Sequence, residues 1–367
     1  MNLFLADTPF SAMVWLALKA TAILAAAALL QRLWHGRTSA ATRHLTWTLV
    51  VASLLVLPFA GRVAPRWSVM VAGPAAQDTA LAAAPAIDHR SDTERVAAAA
   101  VLDVAPFTTP RHEATIAGAP RVSAWMAALG IYVVGFTAVL LSLALHHWRT
   151  RRLAARAAEV RDGPWIELVA DASAELGVRR PVRLLRSRDV VLPMTFGTWA
   201  PAIVIPATAD LWSDDRRRAV LLHELAHVAR YDCLTQTVAL IACAAYWPHP
   251  AVWWVARQLR LERELACDDR VLAAGAEARA YASHLLEIAY SLGGRRAPVL
   301  ALSMARPSQL EGRLLAALDA ARNRRSPGPW VRMTLGAVAA VAVMALAGAT
   351  PTAREIVPGG PFVAEVL

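Results

Sequence analysis

The chain has 367 residues, 57% of them hydrophobic, with a mean hydropathy of +0.40, a net charge of +10 and a pI of about 10.6. So apolar a composition excludes an ordinary soluble globule and directs the search to membrane spans. The charge is almost wholly arginine, Lys19 being the only lysine, and in a membrane chain such charge marks the flanks of spans rather than a nucleic-acid surface.

Four stretches have roughly the 17–25 apolar residues that a spanning helix needs. They run from about Phe10 to Leu33, Thr46 to Ala64, Val122 to Leu145 and Val331 to Ala349. The first is not a signal peptide by pattern, because Met1 to Met13 has no basic residue and contains Asp7. Lys19 within it reads as a side chain that snorkels or faces another helix. Arg32, Arg37 and Arg43 separate the first two spans, Arg149, Arg151, Arg152, Arg156 and Arg161 follow the third, and Arg322, Arg324, Arg325 and Arg332 lead into the fourth. The positive-inside rule puts all three clusters on the cytoplasmic side of a bacterial inner membrane.

The predicted organisation follows. Two membrane helices occupy 1–64, and an extracytoplasmic, mostly irregular loop 65–121. A third membrane helix occupies 122–148, a cytoplasmic block 149–329, a fourth membrane helix 330–350 and a short extracytoplasmic tail 351–367. The block is long enough to hold its own core. It reads as helices at about 163–176, 211–229, 235–246, 251–275, 277–292 and 308–321. Short β-like runs at 182–185 and 202–205 precede most of them, with Pro193 to Gly197 as a turn between strands, so the block is α+β. The apolar run Leu234 to Trp247 is too short to span and reads as a core or membrane-surface helix. Cys233, Cys243 and Cys267 lie in no CxxC and read as reduced, cytosolic thiols.

The chemistry gathers in this block. His223-Glu224-Leu225-Ala226-His227 is an HExxH motif. On a helix, residues four apart share a face, so both imidazoles can reach one Zn²⁺. Glu224, beside the first ligand, is placed as general base for a water. Ser213-Asp214-Asp215 supplies an N-cap and an acidic first turn. The bland alternative is an amphipathic helix with incidental histidines. A third ligand is expected from a second helix, and Arg260 to Asp269 offers Glu264 and Asp268, again four apart. Glu264 is expected to bind zinc, and Asp268 to hydrogen-bond His223 or His227 and fix its tautomer. Glu262 and Asp269 point elsewhere, into solvent or salt bridges. Cys267 reads as a buried structural thiol, and the competing reading of the whole segment is a charged helix with i,i+4 pairs.

HELAH, then Arg230-Tyr231-Asp232, then Trp247-Pro248-His249-Pro250-Ala251-Val252-Trp253-Trp254, then Arg263-Glu264-Leu265-Ala266-Cys267-Asp268-Asp269 resembles the BlaR/MecR-type antirepressor membrane peptidases, gluzincins of metallopeptidase family 56. Pro193 to Gly197, Pro201 to Pro206 and Gln309 to Arg313 also match, and the likeness covers about residues 120–325. It implies a cytoplasmic gluzincin domain in which His223, His227 and Glu264 bind zinc and Glu224 is the base. It further implies that Pro193 to Gly197 and Ala202 to Ile205 form the edge strand along which a substrate peptide lies by β-augmentation, with Thr195, Gly197 and Ile203 as substrate-binding positions. The implied substrate is a cytosolic transcriptional repressor, or the chain itself. His249 stands where the family often has Asn; His249 and Arg263 are candidates for stabilising the oxyanion, by nearness in sequence. No Ser-x-x-Lys is available outside the membrane, so covalent β-lactam binding is not expected. A homodimer is one arrangement open to it, and direct nucleic-acid binding is not expected. Two readings compete with a signalling endopeptidase. One is a quality-control membrane peptidase of the HtpX type; the other is a transducer that has ceased to cut, against which the intact Glu224 stands.

Overall fold

The computed structural model describes residues 9–34, 36–71, 124–293 and 307–353. Most of the expected extracytoplasmic loop and tail therefore lies outside the described residues. Among the described residues, four helices are long and apolar enough to cross a membrane: α1 (Pro9–Trp34), α2 (Ala40–Ala60), α3 (Ala124–Arg156) and the last helix, α10 (Pro329–Gly348). Two differ from expectation in their limits. α2 begins six residues before Thr46, because Ser39 Oγ caps it by accepting from Thr42 N at 3.3 Å, so Arg43 and His44 are helical. α3 continues without a break to Arg156, at 33 residues about 50 Å of helix.

Beyond α3 come β2 (Ala158–Val160), α4 (Pro164–Glu175), β3 (Arg183–Ser187), β4 (Met194–Phe196) and β5 (Ala202–Pro206). A 3₁₀ turn (Ala207–Leu211) leads into α5 (Asp214–Ala229), α6 (Asp232–Ala245), α7 (Pro250–Ala273), α8 (Ala278–Gly293) and α9 (Pro307–Leu318). The segment expected as a turn at Pro193 to Gly197 is instead strand β4, antiparallel to β5, with the turn after it. The sheet order is β2-β3-β5-β4, with β3 and β5 parallel. Strand alternation divides β5 between two cores. Ile203 and Ile205 pack with Leu184, Leu221, Leu222 and Leu225 on the α5 side. Ala202 and Val204 pack with Leu185 against Leu153 and Ala154 at the end of α3.

The block holds its own core, and it shares a second one with the long apolar helices. α6 and the first half of α7 share a core with the long apolar helices: Ala242, Cys243, Val252, Val255 and Leu259 pack with Ile23 and Leu24 of α1, Trp47, Val51 and Leu54 of α2, and Val343 of α10. The hairpin between α6 and α7 pushes its tip among those helices and satisfies their backbone. Tyr246 Oη donates to the Leu54 carbonyl at 2.7 Å, Trp247 Nε1 donates to the Tyr132 carbonyl at 3.1 Å, and His249 Nε2 lies 2.9 Å from Thr21 Oγ1. A short parallel pair, β1 (Trp67–Val71) with β6 (Ala349–Ala353), joins the far ends of α2 and α10. The sequence shows no alternation there that announces it.

Gly135 of α3 exists as glycine because the Trp247 ring lies where a Cβ would be, 2.2 Å from its nearest atom. That ring is fixed by its hydrogen bond to Tyr132, so it cannot swing aside cheaply. Gly135→Leu is expected to lose about 1–3 kcal/mol by overpacking, read as a lower thermal midpoint of the detergent-solubilised chain. An unchanged midpoint would show that the hairpin tip does not seat against α3.

Candidate metal centre

α5 and α7 bring the expected residues together. Ser213 Oγ caps α5 by accepting from Arg216 N at 3.4 Å, and Asp214 and Asp215 complement the helix dipole. The helix then buries His223, Glu224 and His227. After it, Tyr231 adopts the left-handed conformation (φ 57°) that reverses the chain and places Asp232 at the start of α6. The Arg180 guanidinium stacks on the Tyr231 ring and donates to the Thr198 and Val228 carbonyls, fixing that corner.

His223 Nε2 and His227 Nε2 lie 3.2 Å apart, and the Glu264 carboxylate oxygens lie 3.6 and 4.0 Å from them. Tetrahedral zinc holds nitrogen ligands about 3.3 Å from one another, so the three donors already have the right spacing. The hydrogen bonds sharpen this test. His223 Nδ1 lies 3.1 Å from Asp268 Oδ1, and His227 Nδ1 lies 2.8 Å from Asp232 Oδ2. Each Nδ1–H therefore donates to a buried carboxylate, and both Nε2 lone pairs point at each other. With both rings neutral, two facing lone pairs at 3.2 Å repel; a metal cation relieves this, as does a second proton on His223 in the metal-free chain. Glu264 Oε2 is also buried without a hydrogen-bond partner. The donor set fits zinc.

Around these donors the charges are compensated. Burial opposes ionisation of Asp268, but Arg313 binds it through two bonds of 2.7 Å and holds its carboxyl below the usual range. Burial likewise opposes ionisation of Asp232, and Arg230 and His227 outweigh it. Glu264 is held well below the carboxylate range against burial, chiefly by Arg263. Tyr281 Oη donates to Asp268 Oδ1 at 2.6 Å and sits 3.2 Å from His223 Nδ1. Burial pushes the Cys267 thiol well up. Cys267 Sγ is 3.3 Å from His227 Nδ1, so His227, Asp232 and Cys267 form a second group able to hold a metal. A neutral thiol and an Nδ1 already bonded to Asp232 make it the poorer site.

Glu224 faces the same cleft. Its Oε2 accepts from Thr195 Oγ1 at 2.7 Å. The cleft is lined by His223, Glu224, Glu264, Tyr281, His284 and Arg313 on its polar side, and by Leu192, Pro193, Val220, Leu285 and Leu310 on its apolar side. Thr195 thus lies at the site, but its hydroxyl holds the base. Gly197 (φ 85°) makes the turn after β4, where a Cβ would meet the Ala200 carbonyl at 2.4 Å. Three expectations need correction. Ala202 to Ile205 is not an edge strand, because β5 is paired on both sides, and Ile203 is fully buried in the core; the edges are β2 and β4, and β4 lies within the Pro193 to Gly197 half of that expectation. His249 is at the hairpin tip, about 22 Å along α7 from Glu264. Arg263 is committed to Glu264 Oε1 at 3.0 Å and Gln236 Oε1 at 3.1 Å. Sequence reasoning missed Asp232, Arg313 and Tyr281 as supports. The first two lay inside noticed motifs; Tyr281 carried no local signal.

Two measurements follow from this geometry. Burial disfavours a charged His223, but the Asp268 and Glu264 carboxylates beside it outweigh this and push it up to about 9 without metal. Because that value exceeds the ordinary 6.5, the proton stabilises the metal-free fold fully below about pH 6.5, and the gain is lost as pH rises through about 9. Zinc needs the neutral ring. Zinc uptake at pH 7.5 is therefore expected to release about one proton, seen in calorimetry as a dependence on buffer ionisation enthalpy that fades above pH 9. No buffer dependence at pH 7.5 would contradict it. Asp268→Ala is expected to weaken zinc retention roughly 10–100-fold; equal retention in chelator competition would remove Asp268 from the site.

Comparison with known proteins gives the family. Residues 11–317 match the family described as BlaR1 peptidase M56. The chain is 28% identical over 142 residues to the "Regulatory protein BlaR1" of Bacillus licheniformis, a match covering 39% of this chain and 24% of that protein. It is 25% identical over 95 residues to the "Methicillin resistance mecR1 protein" of Staphylococcus aureus and to that of Staphylococcus epidermidis, covering 26% of this chain and 16% of each relative. The matches thus span about a quarter or less of those relatives' length. With a match over most of its length and a two-histidine, one-glutamate donor set beneath it, the chain belongs to the M56 family of membrane-associated metallopeptidases.

Proposed function

We propose that this chain is an integral-membrane zinc endopeptidase of a signalling pathway, with its cleft open to the cytoplasm, and that it cuts a cytosolic transcriptional repressor, itself, or both. The observation that carries the reading is the buried cluster of His223 Nε2, His227 Nε2 and the Glu264 carboxylate within about 4 Å of one another, beside a base held by Thr195. His223, His227 and Glu264 hold the metal, which when bound supplies Lewis acidity for a peptide carbonyl and for water.

The rest is done by the chain's own groups. Asp268 and Asp232 keep both imidazoles in the tautomer that presents Nε2. Arg263 and Arg313 keep Glu264 ionised. The Thr195 hydroxyl aims the Glu224 carboxylate. Glu224 takes a proton from the attacking water and returns it to the leaving amide nitrogen. β4 has a free edge beside the cleft, where an extended peptide can add as a further strand through backbone hydrogen bonds. The arginine clusters at 149–161 and 322–332 support a cytoplasmic cleft by the positive-inside rule, and the relatives named regulatory and resistance proteins support a signalling role.

Glu224→Gln keeps the side chain's shape and removes the base. It is expected to retain zinc and to lose cleavage by about 10²–10⁴-fold. In whole cells, fragments of the tagged chain or of a repressor encoded beside it appear under cell-wall stress with the native chain and vanish with the variant. Identical fragment patterns from both would refute catalysis by this site.

A further inference from the structure

α7 carries two pairs of acidic residues on different faces. At about 100° per residue, Glu262 and Asp269 lie within about 20° of each other, while Glu264 and Asp268 project from the opposite side. The second pair faces the metal centre, Glu264 toward His223 and Asp268 bonded to it. The first pair faces the membrane helices. Glu262 Oε1 accepts from Arg43 Nε of α2 at 2.8 Å, with both side chains at most 10% exposed. Asp269 Oδ1 accepts from Arg322 Nε at 3.0 Å, and Arg324 Nε lies 3.6 Å away, both in the segment leading into α10.

We propose that Arg43 and Arg322 are positioning residues for the metal ligand Glu264, so that the seating of the metal depends on the spans; this rests on the metallopeptidase reading above. The two ion pairs bracket Glu264 along α7, about 10 Å apart on one face. A helix held by charge at two points on one side cannot roll, and rolling is the motion that would carry Glu264 away from His223 and His227. Loss of Arg43 takes the hydrogen-bonded cation from buried Glu262, and loss of Arg322 leaves Asp269 only the longer contact to Arg324 at 3.6 Å; both changes favour release of the carboxylate toward water. The two anchors are themselves joined. α2 and α10 meet at their far ends through β1 and β6, where Trp67 Nε1 donates to the Ala345 carbonyl at 2.8 Å. At the near end Asn323 Nδ2 reaches the Arg37 carbonyl at 3.5 Å, just before α2. α2 also approaches the second imidazole's support, with His44 Nε2 3.9 Å from Asp232 Oδ1. A shift between α2 and α10 is therefore delivered to α7 at the two points that flank its ligand.

The test uses the full chain in detergent, loaded with Co²⁺ as a spectroscopic probe for zinc. Arg43→Glu and Glu262→Arg are expected each to weaken cobalt binding about tenfold or more and to alter its visible absorption; the double swap restores both. Hydrogen exchange over 262–269 of the metal-free chain is expected to quicken in each single variant and recover in the swap. Glu262→Gln and Asp269→Asn serve where charge reversal prevents folding. Normal cobalt affinity, spectrum and exchange in a folded single variant would overturn the proposal, as would a swap that restores none of them. A wild-type chain that binds no metal refutes the metallopeptidase reading instead, while the exchange data still decide whether the ion pairs hold α7.

Discussion

The centre rests on the approach of two imidazole nitrogens, His223 Nε2 and His227 Nε2, at 3.2 Å in a buried place. With both rings neutral such a contact is repulsive, and it is relieved by a metal between the rings or, in the metal-free chain, by the second proton that His223 holds up to about pH 9. Everything nearby enforces it. Asp268 and Asp232 take the opposite ring nitrogens, and Arg313 and Arg230 neutralise those carboxylates in turn. Glu264 adds the third donor. Buried charges of this kind are expensive unless each has its partner, and nearly every one here is paired within hydrogen-bond reach.

The helices that carry the centre are interwoven with the apolar ones. α6 and the first half of α7 complete the core formed by α1, α2 and α10, while the second half of α7 turns its acids to the centre. One continuous helix thus begins among the apolar helices and ends in the metal site. The hairpin tip can sit there because Tyr246, Trp247 and His249 meet polar groups of α2, α3 and α1, which is the condition for polar groups in a water-poor setting.

Much of this was legible in the sequence because it is periodic. HELAH and Glu264/Asp268 are i,i+4 patterns, and the four long apolar helices are runs of adequate length. What escaped depended on distant residues. β4 looked like a turn because Pro193 and Gly197 bracket only three residues; its pairing with β5 decides the matter. His249 drew attention by lying near the motif, yet helix geometry carries it one hairpin length away. Tyr281 reaches His223 across 58 residues of sequence, and Arg43 reaches Glu262 across 219. No local pattern encodes such pairs. The β1–β6 pairing is equally non-local, joining strands separated by most of the chain.

The most direct test of the centre is X-ray absorption at the zinc edge of the full-length, zinc-loaded chain. The account predicts a first shell of nitrogen and oxygen only, with outer-shell scattering from two imidazoles, and loss of one imidazole in His223→Ala. A sulfur neighbour at about 2.3 Å would move the metal to the group of His227, Asp232 and Cys267 and contradict it.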